Sequence, residues 1–450
     1  MKTKLYHWWQ QIRSSFWFVP AVLVLDAVAL AIVLITADTL VDPQIVKRWP
    51  LFFGAGAAGA RGLLTTVASS MITVAGVVFS ITIVALALTS SQYTSRVLRN
   101  FMRDRINQWV LGVFVGIFAY CLVVLRTIRG GDEGTFVPAL AVLAGLILAF
   151  VGIAFLIHFI HHISMSIQAS SILAAVAQDA IVAVDHLFPQ ELGENTDGAA
   201  DEEGDGDMAM FLAERTWSAI PAQQTGYIET IDRNALLTLA RDRGTILRME
   251  RGIGEFAIEG APLVSASGSD GVDDDMTAKL NAAYLIGRQR SVEQDAVFGI
   301  RQIVDIALKA LSPGINDTTT AVMCVDYLTA ILARLSARRI ASSFILDQGK
   351  LRVIARCPSF DSLLAEAFDQ IRQNAEGNVA VLTHLLQSLE IIAGQTTTTR
   401  RRQALSKQAD LMTTTARGSI NSAHDRAEIE ASLARLAHIL KDPFQEHASP

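Results

Sequence analysis

Four long stretches almost free of charge, all within residues 16–160 of a 450-residue chain, constrain the fold more than any other feature. They run near Phe16–Thr36, Gly62–Thr89, Trp109–Leu125 and Phe136–Ile160. At about 1.5 Å per residue, each crosses most or all of a hydrocarbon core about 30 Å thick when helical. Backbone in lipid must satisfy its own N–H and C=O groups, so helices are the reading such runs permit. Hydrophobic residues make up 51% of the chain, an average that hides the asymmetry, because charges return at ordinary density after the fourth run. The expected fold class is an α-helical multi-pass membrane domain of four spans, followed by an α+β, mostly helical cytoplasmic region.

Lys2, Lys4 and Arg13 before the first run resemble the charged start of a signal peptide. The apolar run that follows is long enough to span, no small-x-small site follows cleanly, and further spans come after it. It is therefore expected to be a retained first helix. Orientation follows from basic residues in the short connections. Lys2, Lys4 and Arg13 lie before span one, and Arg96, Arg99, Arg103 and Arg105 lie between spans two and three. In the other two connections, Lys47, Arg48, Arg61, Arg126 and Arg129 are offset by Asp38, Asp42, Asp132 and Glu133. Both termini are expected on the cytoplasmic side. Trp8, Trp9, Trp17, Trp49 and Trp109 fall near the proposed interfaces, as an aromatic belt would.

Span two differs from its neighbours. Thr65, Ser69, Thr73, Gly76 and Ser80 recur at spacings of four, four, three and four, which places small and hydroxyl groups along one helical stripe. Such a stripe suits a close small-xxx-small helix contact, and it also suits one wall of a polar path. Asp26 lies mid-span, where an ionised carboxylate is costly and a functional role is the default expectation. His158, His161 and His162 share a face at the inner end of span four. Their spacing permits metal ligation, but no carboxylate or cysteine accompanies them, and interfacial histidines are the expected reading.

A net charge of −6 gives no reason to expect nucleic acid. Cys121, Cys324 and Cys357 are far apart and read as isolated thiols in a reducing compartment. Neither a metal nor another cofactor is expected. Gly54-Ala-Gly-Ala-Ala-Gly59 matches the dinucleotide fingerprint in letters, but a membrane span follows it instead of a βαβ unit. With no GxSxG, P-loop or HExxH motif, the chain is not expected to be an enzyme.

The chain divides by texture. Residues 1–162 form the four-span domain, and 163–189 a helix continuing span four into the cytoplasm. Residues 190–210 are an acidic stretch expected to be disordered. Residues 211–275 carry short β-type runs at Gly226–Asp232, Thr245–Met249, Glu255–Ile258 and Leu263–Ala266. Within them, Arg251-Gly-Ile-Gly-Glu-Phe-Ala-Ile-Glu-Gly-Ala-Pro-Leu263 resembles half of a barrel-sandwich hybrid motif, without the lysine that lipoyl carriers modify. Residues 276–395 are expected as a helical subdomain, with helices at Ala278–Arg288, Glu293–Leu311 and Asp317–Leu335, a hairpin around Asp347-Gln-Gly349, and further helices. Residues 396–450 complete the chain as C-terminal helices. Gln294, Asp295, Arg301, Asp305, Ser312, Asn316 and Asp317 form the polar constellation of this part, with Asp317 placed to cap the helix after it.

Three segments are distinctive: Gln294-Asp-Ala-Val-Phe-Gly-Ile-Arg-Gln-Ile-Val-Asp-Ile-Ala-Leu-Lys-Ala-Leu-Ser-Pro-Gly-Ile-Asn-Asp317, Ser90-Ser-Gln-Tyr-Thr-Ser-Arg-Val-Leu98 and Phe159-Ile-His-His162. Together they resemble a bacterial family of predicted membrane proteins, domain of unknown function family 2254. The resemblance covers most of the chain, from span one to about residue 390. It implies a bacterial inner-membrane protein and brings no established activity. The leading functional expectation is a homo-oligomeric channel or transport protein, with span two lining the path and the cytoplasmic region as vestibule or gate. Four spans enclose little space alone, so a pore needs symmetric assembly. The alternative is a membrane-anchored sensor or scaffold that binds a ligand or partner through its cytoplasmic region.

Overall fold

A computed structural model describes residues 17–40, 56–92, 105–129, 136–166, 168–188, 215–268, 272–290, 295–340 and 343–441. The acidic stretch 190–210, the basic loop 93–104, the N-terminal cations and Gln294 lie outside these residues. The chain forms two compact units, residues 1–172 and 173–450.

The first unit is a bundle of α1 (Phe18–Asp38), α2 (Ala57–Gln92), α3 (Arg105–Thr127) and α4 (Ala139–Ser166). Helix α3 packs against each of the other three. Small residues permit this. A methyl group on Gly112 would meet Leu23 Cδ1 at 2.6 Å and Pro20 Cα at 2.9 Å, and one on Gly116 would sit 3.3 Å from the Leu23 carbonyl oxygen. Gly112 and Gly116 therefore let α1 lie on α3 at backbone distance, as a GxxxG pair does. On α4, Gly145 and Gly152 do the same for Leu64 and Met71 of α2. Polar pairings then pin the helix ends. Both Asp38 oxygens, at the end of α1, accept backbone N–H groups that open α4, from Leu140 at 3.0 Å and Ala141 at 3.1 Å. The Tyr120 hydroxyl donates to the Ala141 carbonyl at 2.7 Å, and Arg61 donates to the Ile128 carbonyl at 2.7 Å.

Among the described residues, six helices, not four, are long and apolar enough to cross a membrane. Four are α1–α4, with mean hydropathy from 2.2 to 2.9. The other two, α5 (Ala169–Leu187) and Thr318–Ser336, reach only 1.3 and 1.2. The expected continuous helix from span four to Phe188 is also corrected, because α4 ends at Ser166 and α5 begins at Ala169. Near that break, the Ser164 hydroxyl donates back to the Ile160 carbonyl at 2.7 Å, a bond that bends helices.

In the second unit, β1 (Trp217–Pro221), β2 (Gly226–Ile231), α6 (Arg233–Asp242), β3 (Leu247–Met249), β4 (Phe256–Ala257), β5 (Pro262–Ser267), α7 (Asp274–Ala282) and β6 (Tyr284–Gly287) come first. Helices α8 (Ala296–Leu311) and α9 (Thr318–Ser336) follow, then the hairpin β7 (Phe344–Asp347) and β8 (Lys350–Ile354). The chain ends on α10 (Phe360–Asn374), α11 (Val379–Gln395), α12 (Thr399–Ser419) and α13 (Ala423–Lys441). One sheet has strand order β1-β5-β3-β8-β7 and the other β4-β2-β6. The late hairpin thus joins the early strands through a parallel β3–β8 pairing, so the β-rich part is not confined to residues 211–275. The expected helix Ala278–Arg288 stops at Ala282. Asp273 caps its start through the Met276 N–H at 2.7 Å, and Tyr284–Gly287 leaves the helix to pair with β2. Ile220, Ile228, Leu247, Leu263, Met276 and Val353 fill the core between the sheets and these helices.

The Gly112 contact yields a direct expectation. Gly112→Val should destabilise the bundle by about 1–3 kcal/mol through overpacking. Gly76→Ala, at a position with nothing within 4 Å, should not lower stability. Thermal unfolding of the two variants in detergent micelles reads the difference.

Candidate functional site

The hydroxyl stripe of α2 faces away from the bundle. Ala60, Leu64, Ala68, Met71, Ala75, Val78, Thr82, Ala85 and Thr89 form its buried face, while Thr65, Ser69, Thr73, Gly76 and Ser80 are all exposed. At about 100° per residue the two faces lie nearly opposite each other. The face that α2 packs inside the chain therefore carries its alanines, with Leu64 and Met71 set against Gly145 and Gly152 of α4, and not the hydroxyl stripe. Threonines on both faces satisfy themselves. Thr73 Oγ1 donates to the Ser69 carbonyl at 2.7 Å, and Thr82 Oγ1 to the Val78 carbonyl at 2.8 Å. Asp26 is exposed midway along α1. The His158 and His162 rings stack with centroids 6.3 Å apart, and His162 Nε2 lies 3.2 Å from the Ser166 hydroxyl. Among the described residues no group of three His, Cys, Asp or Glu side chains is placed to hold a metal.

The structure gives the members of the polar constellation separate local tasks. Asp295 caps α8, accepting from the Phe298 N–H at 3.1 Å, and pairs with Arg290 at 2.8 Å while almost wholly buried. Arg290 in turn lies over the Phe298 ring at 5.0 Å. Gly254, at φ +80°, rests against this pair, and any methyl there would collide with the Asp295 carboxylate. Burial pushes the Asp295 carboxyl above the usual aspartate range, against the pull of Arg290 and the Phe298 N–H. Arg301 bridges Asp305 at 3.0 Å and Glu366 of α10 at 3.2 Å. Asp317 caps α9 through the Thr320 N–H at 3.0 Å and its hydroxyl at 2.6 Å. Asn316 turns the chain at φ +49°, and the Ser312 hydroxyl closes the end of α8 on the Lys309 carbonyl. These residues brace the start, flank and end of α8.

A cleft of about 660 Å³ lies elsewhere in the second unit, between α5, α9 and α11. At one end His384 Nε2 meets Asp326 Oδ1 at 2.6 Å. At the other, Arg334 and Arg338 both contact Asp185 of α5, at 2.7 and 2.9 Å. Sequence reasoning missed this cleft, because its walls are three helices far apart in the chain. Arg334 and Arg338 lie four residues apart in the sequence, but without Asp185 that spacing reads as an ordinary solvated helix end.

In the β-rich part, burial pushes the Glu250 carboxyl upward. The Ser265 hydroxyl at 2.6 Å, Arg248 at 2.8 Å and Arg356 outweigh it and leave its pKa below the ordinary glutamate value. A depressed folded-state pKa contributes stability above the unfolded value near 4.5, and that stability is lost as pH falls through the folded value. Glu250→Gln should therefore flatten the acid limb of the stability profile, measured by denaturant unfolding between neutral and acid pH. Asp295→Ala, which removes a cap and strands Arg290, should lower stability by roughly 2–4 kcal/mol at neutral pH, read in the same unfolding experiment.

Comparison with known proteins bears on the whole chain. The family described as Predicted membrane protein (DUF2254) matches residues 13–391. The uncharacterized protein Rv1290c of Mycobacterium tuberculosis is 32% identical over 444 residues, covering 96% of this chain and 82% of its own length. The uncharacterized protein Mb1321c of Mycobacterium bovis matches with the same identity and coverage. No solved structure matches. With span-capable helices in place and a family match over most of its length, this chain belongs to the predicted membrane protein family DUF2254.

Proposed function

We propose that this protein is a homo-oligomeric channel or transport protein of the bacterial inner membrane, in which α2 lines a polar path shared between copies. The observation that carries the reading is the outward face of α2, a row of hydroxyl and small side chains opposite the packed face. The Thr73 hydroxyl is satisfied within its own helix, but Asp26 does not meet lipid cheaply. Exposed midway along α1, its carboxylate costs about 2.5–3.5 kcal/mol by insertion scales if it meets acyl chains. A second copy or a water-filled path removes that cost.

In this reading only α1–α4 cross the membrane. A spanning α9 would carry Asp326 and Arg334 into lipid. A spanning α5 would carry Asp179 and Asp185. The distribution of Lys and Arg supports a reading with both termini, and the second unit, on the cytoplasmic side. No catalytic role is assigned to any residue. A second reading, a membrane-anchored sensor or scaffold, draws its support from the cleft between α5, α9 and α11.

Reconstitution in liposomes with ion-flux measurement tests the leading reading. Wild type should support flux, and Ser69→Leu, Thr73→Leu and Ser80→Leu should each reduce it severalfold while leaving insertion intact. An absence of flux under every gradient and membrane tension would sink the channel reading and leave the sensor.

A further inference from the structure

We infer that a second, smaller cleft, between α10 and α12, binds a small uncharged polyol of about monosaccharide size through Asp369 and Gln408. The cleft holds about 220 Å³, below the few hundred to 1,000 Å³ typical of drug-sized ligands, so its occupant is small. Gln408 of α12 lines it and is only 4% exposed. Its Nε2 donates to Asp369 Oδ1 of α10 at 3.0 Å. Its Oε1 is buried, and among the described residues no donor reaches it. Arg372, one turn along α10, has Nη2 3.8 Å from the same Asp369 oxygen and gives Nη1 to the Thr415 hydroxyl at 2.8 Å. Its Nε–H is likewise buried without an acceptor among the described residues. Each such group carries a desolvation cost that an incoming partner removes.

An open acceptor and an open donor therefore belong to two side chains gathered on one carboxylate. A cation would satisfy only the first, and an anion only the second. A hydroxyl group both donates and accepts, so it answers both. The rest of the lining suits several hydroxyls in a row. Ser359 and Ser362 stand at the start of α10. The Ser362 hydroxyl donates to the Ser359 carbonyl at 2.8 Å and keeps its oxygen as an acceptor. Asp369 follows Ser362 by seven residues, about 10 Å at 1.5 Å per residue. Ala365, Ala404 and Leu411 complete the lining and suit the C–H groups of a polyol. Asp361 and Lys407, both exposed, add one charge of each sign and so call for no net charge on the ligand. The site belongs to the second unit alone, so it stands whether or not α2 lines a path.

The test is thermal unfolding of the full chain in detergent, titrated with glucose, with myo-inositol, and with sucrose at matched osmolality. Sugars at high concentration stabilise any fold by exclusion from its surface, and sucrose, too large for the cleft, measures that effect. A ligand bound only by the folded state raises the midpoint with concentration. Glucose or myo-inositol should raise the midpoint of wild type beyond the sucrose control. Gln408→Leu, which removes the open acceptor, should need about tenfold more polyol for the same excess. Ser362→Ala, at an exposed position, should weaken the response and serves if Gln408→Leu does not fold. The inference is overturned if neither polyol exceeds sucrose in wild type, as water alone in the cleft would give. It is equally overturned if the excess survives unchanged in Gln408→Leu and Ser362→Ala.

Discussion

The close approach of α1 to α3 at Gly112 and Gly116 sets the geometry on which the rest of the membrane unit depends. With no side chain between the two backbones, α3 can sit against α1, α2 and α4 together. In lipid no hydrophobic effect drives helices together, so van der Waals contact of this kind supplies much of the association. Once α3 is central, α2 has one face to bury, and it buries Ala60, Ala68, Ala75 and Ala85, which allow α3 and α4 to approach. The hydroxyl stripe is left on the opposite side. Its outward position follows from the packing of the bundle and not from any property of the serines and threonines themselves.

A second contact of the same kind organises the β-rich and helical parts of the second unit. Gly254, in a backbone conformation that favours glycine, lies against the buried Asp295–Arg290 pair, and Asp295 also opens α8. The cap, the ion pair and the glycine thus form a joint between the strands and the helices that follow them. From Asp295 to Asp317 the distinctive segment carries this bracing role. Arg301 extends the brace to α10, and Asp317 opens the next helix.

Much of this was legible in the sequence, for reasons particular residues make plain. Four apolar runs longer than a globular core needs announced α1–α4, and Asp317 three residues before Thr320 announced the start of α9. Long-range pairing was not legible. Tyr284–Gly287 reads as helix in the sequence because nothing local reveals that β2 lies beside it. The break after Ser166 has neither proline nor glycine to mark it. The count of span-capable helices rose from four to six because α5 and α9 are apolar enough to mimic spans, although both carry carboxylates. The face of α2 that packs could not be chosen from its own sequence, since alanine and serine stripes are equally small. The partners on α3 and α4 decided it.

The central claim is that the exposed stripe of α2 meets a second copy of the chain. Oxidative cross-linking in native membranes tests it most directly, with Thr73→Cys introduced into a Cys357→Ser background, since Cys121 and Cys324 are buried. The account predicts a disulfide-linked dimer at Thr73→Cys and little at Phe150→Cys, which is 65% exposed on α4. A Thr73→Cys chain that stays monomeric under oxidation, or cross-links no better than Phe150→Cys, would contradict it.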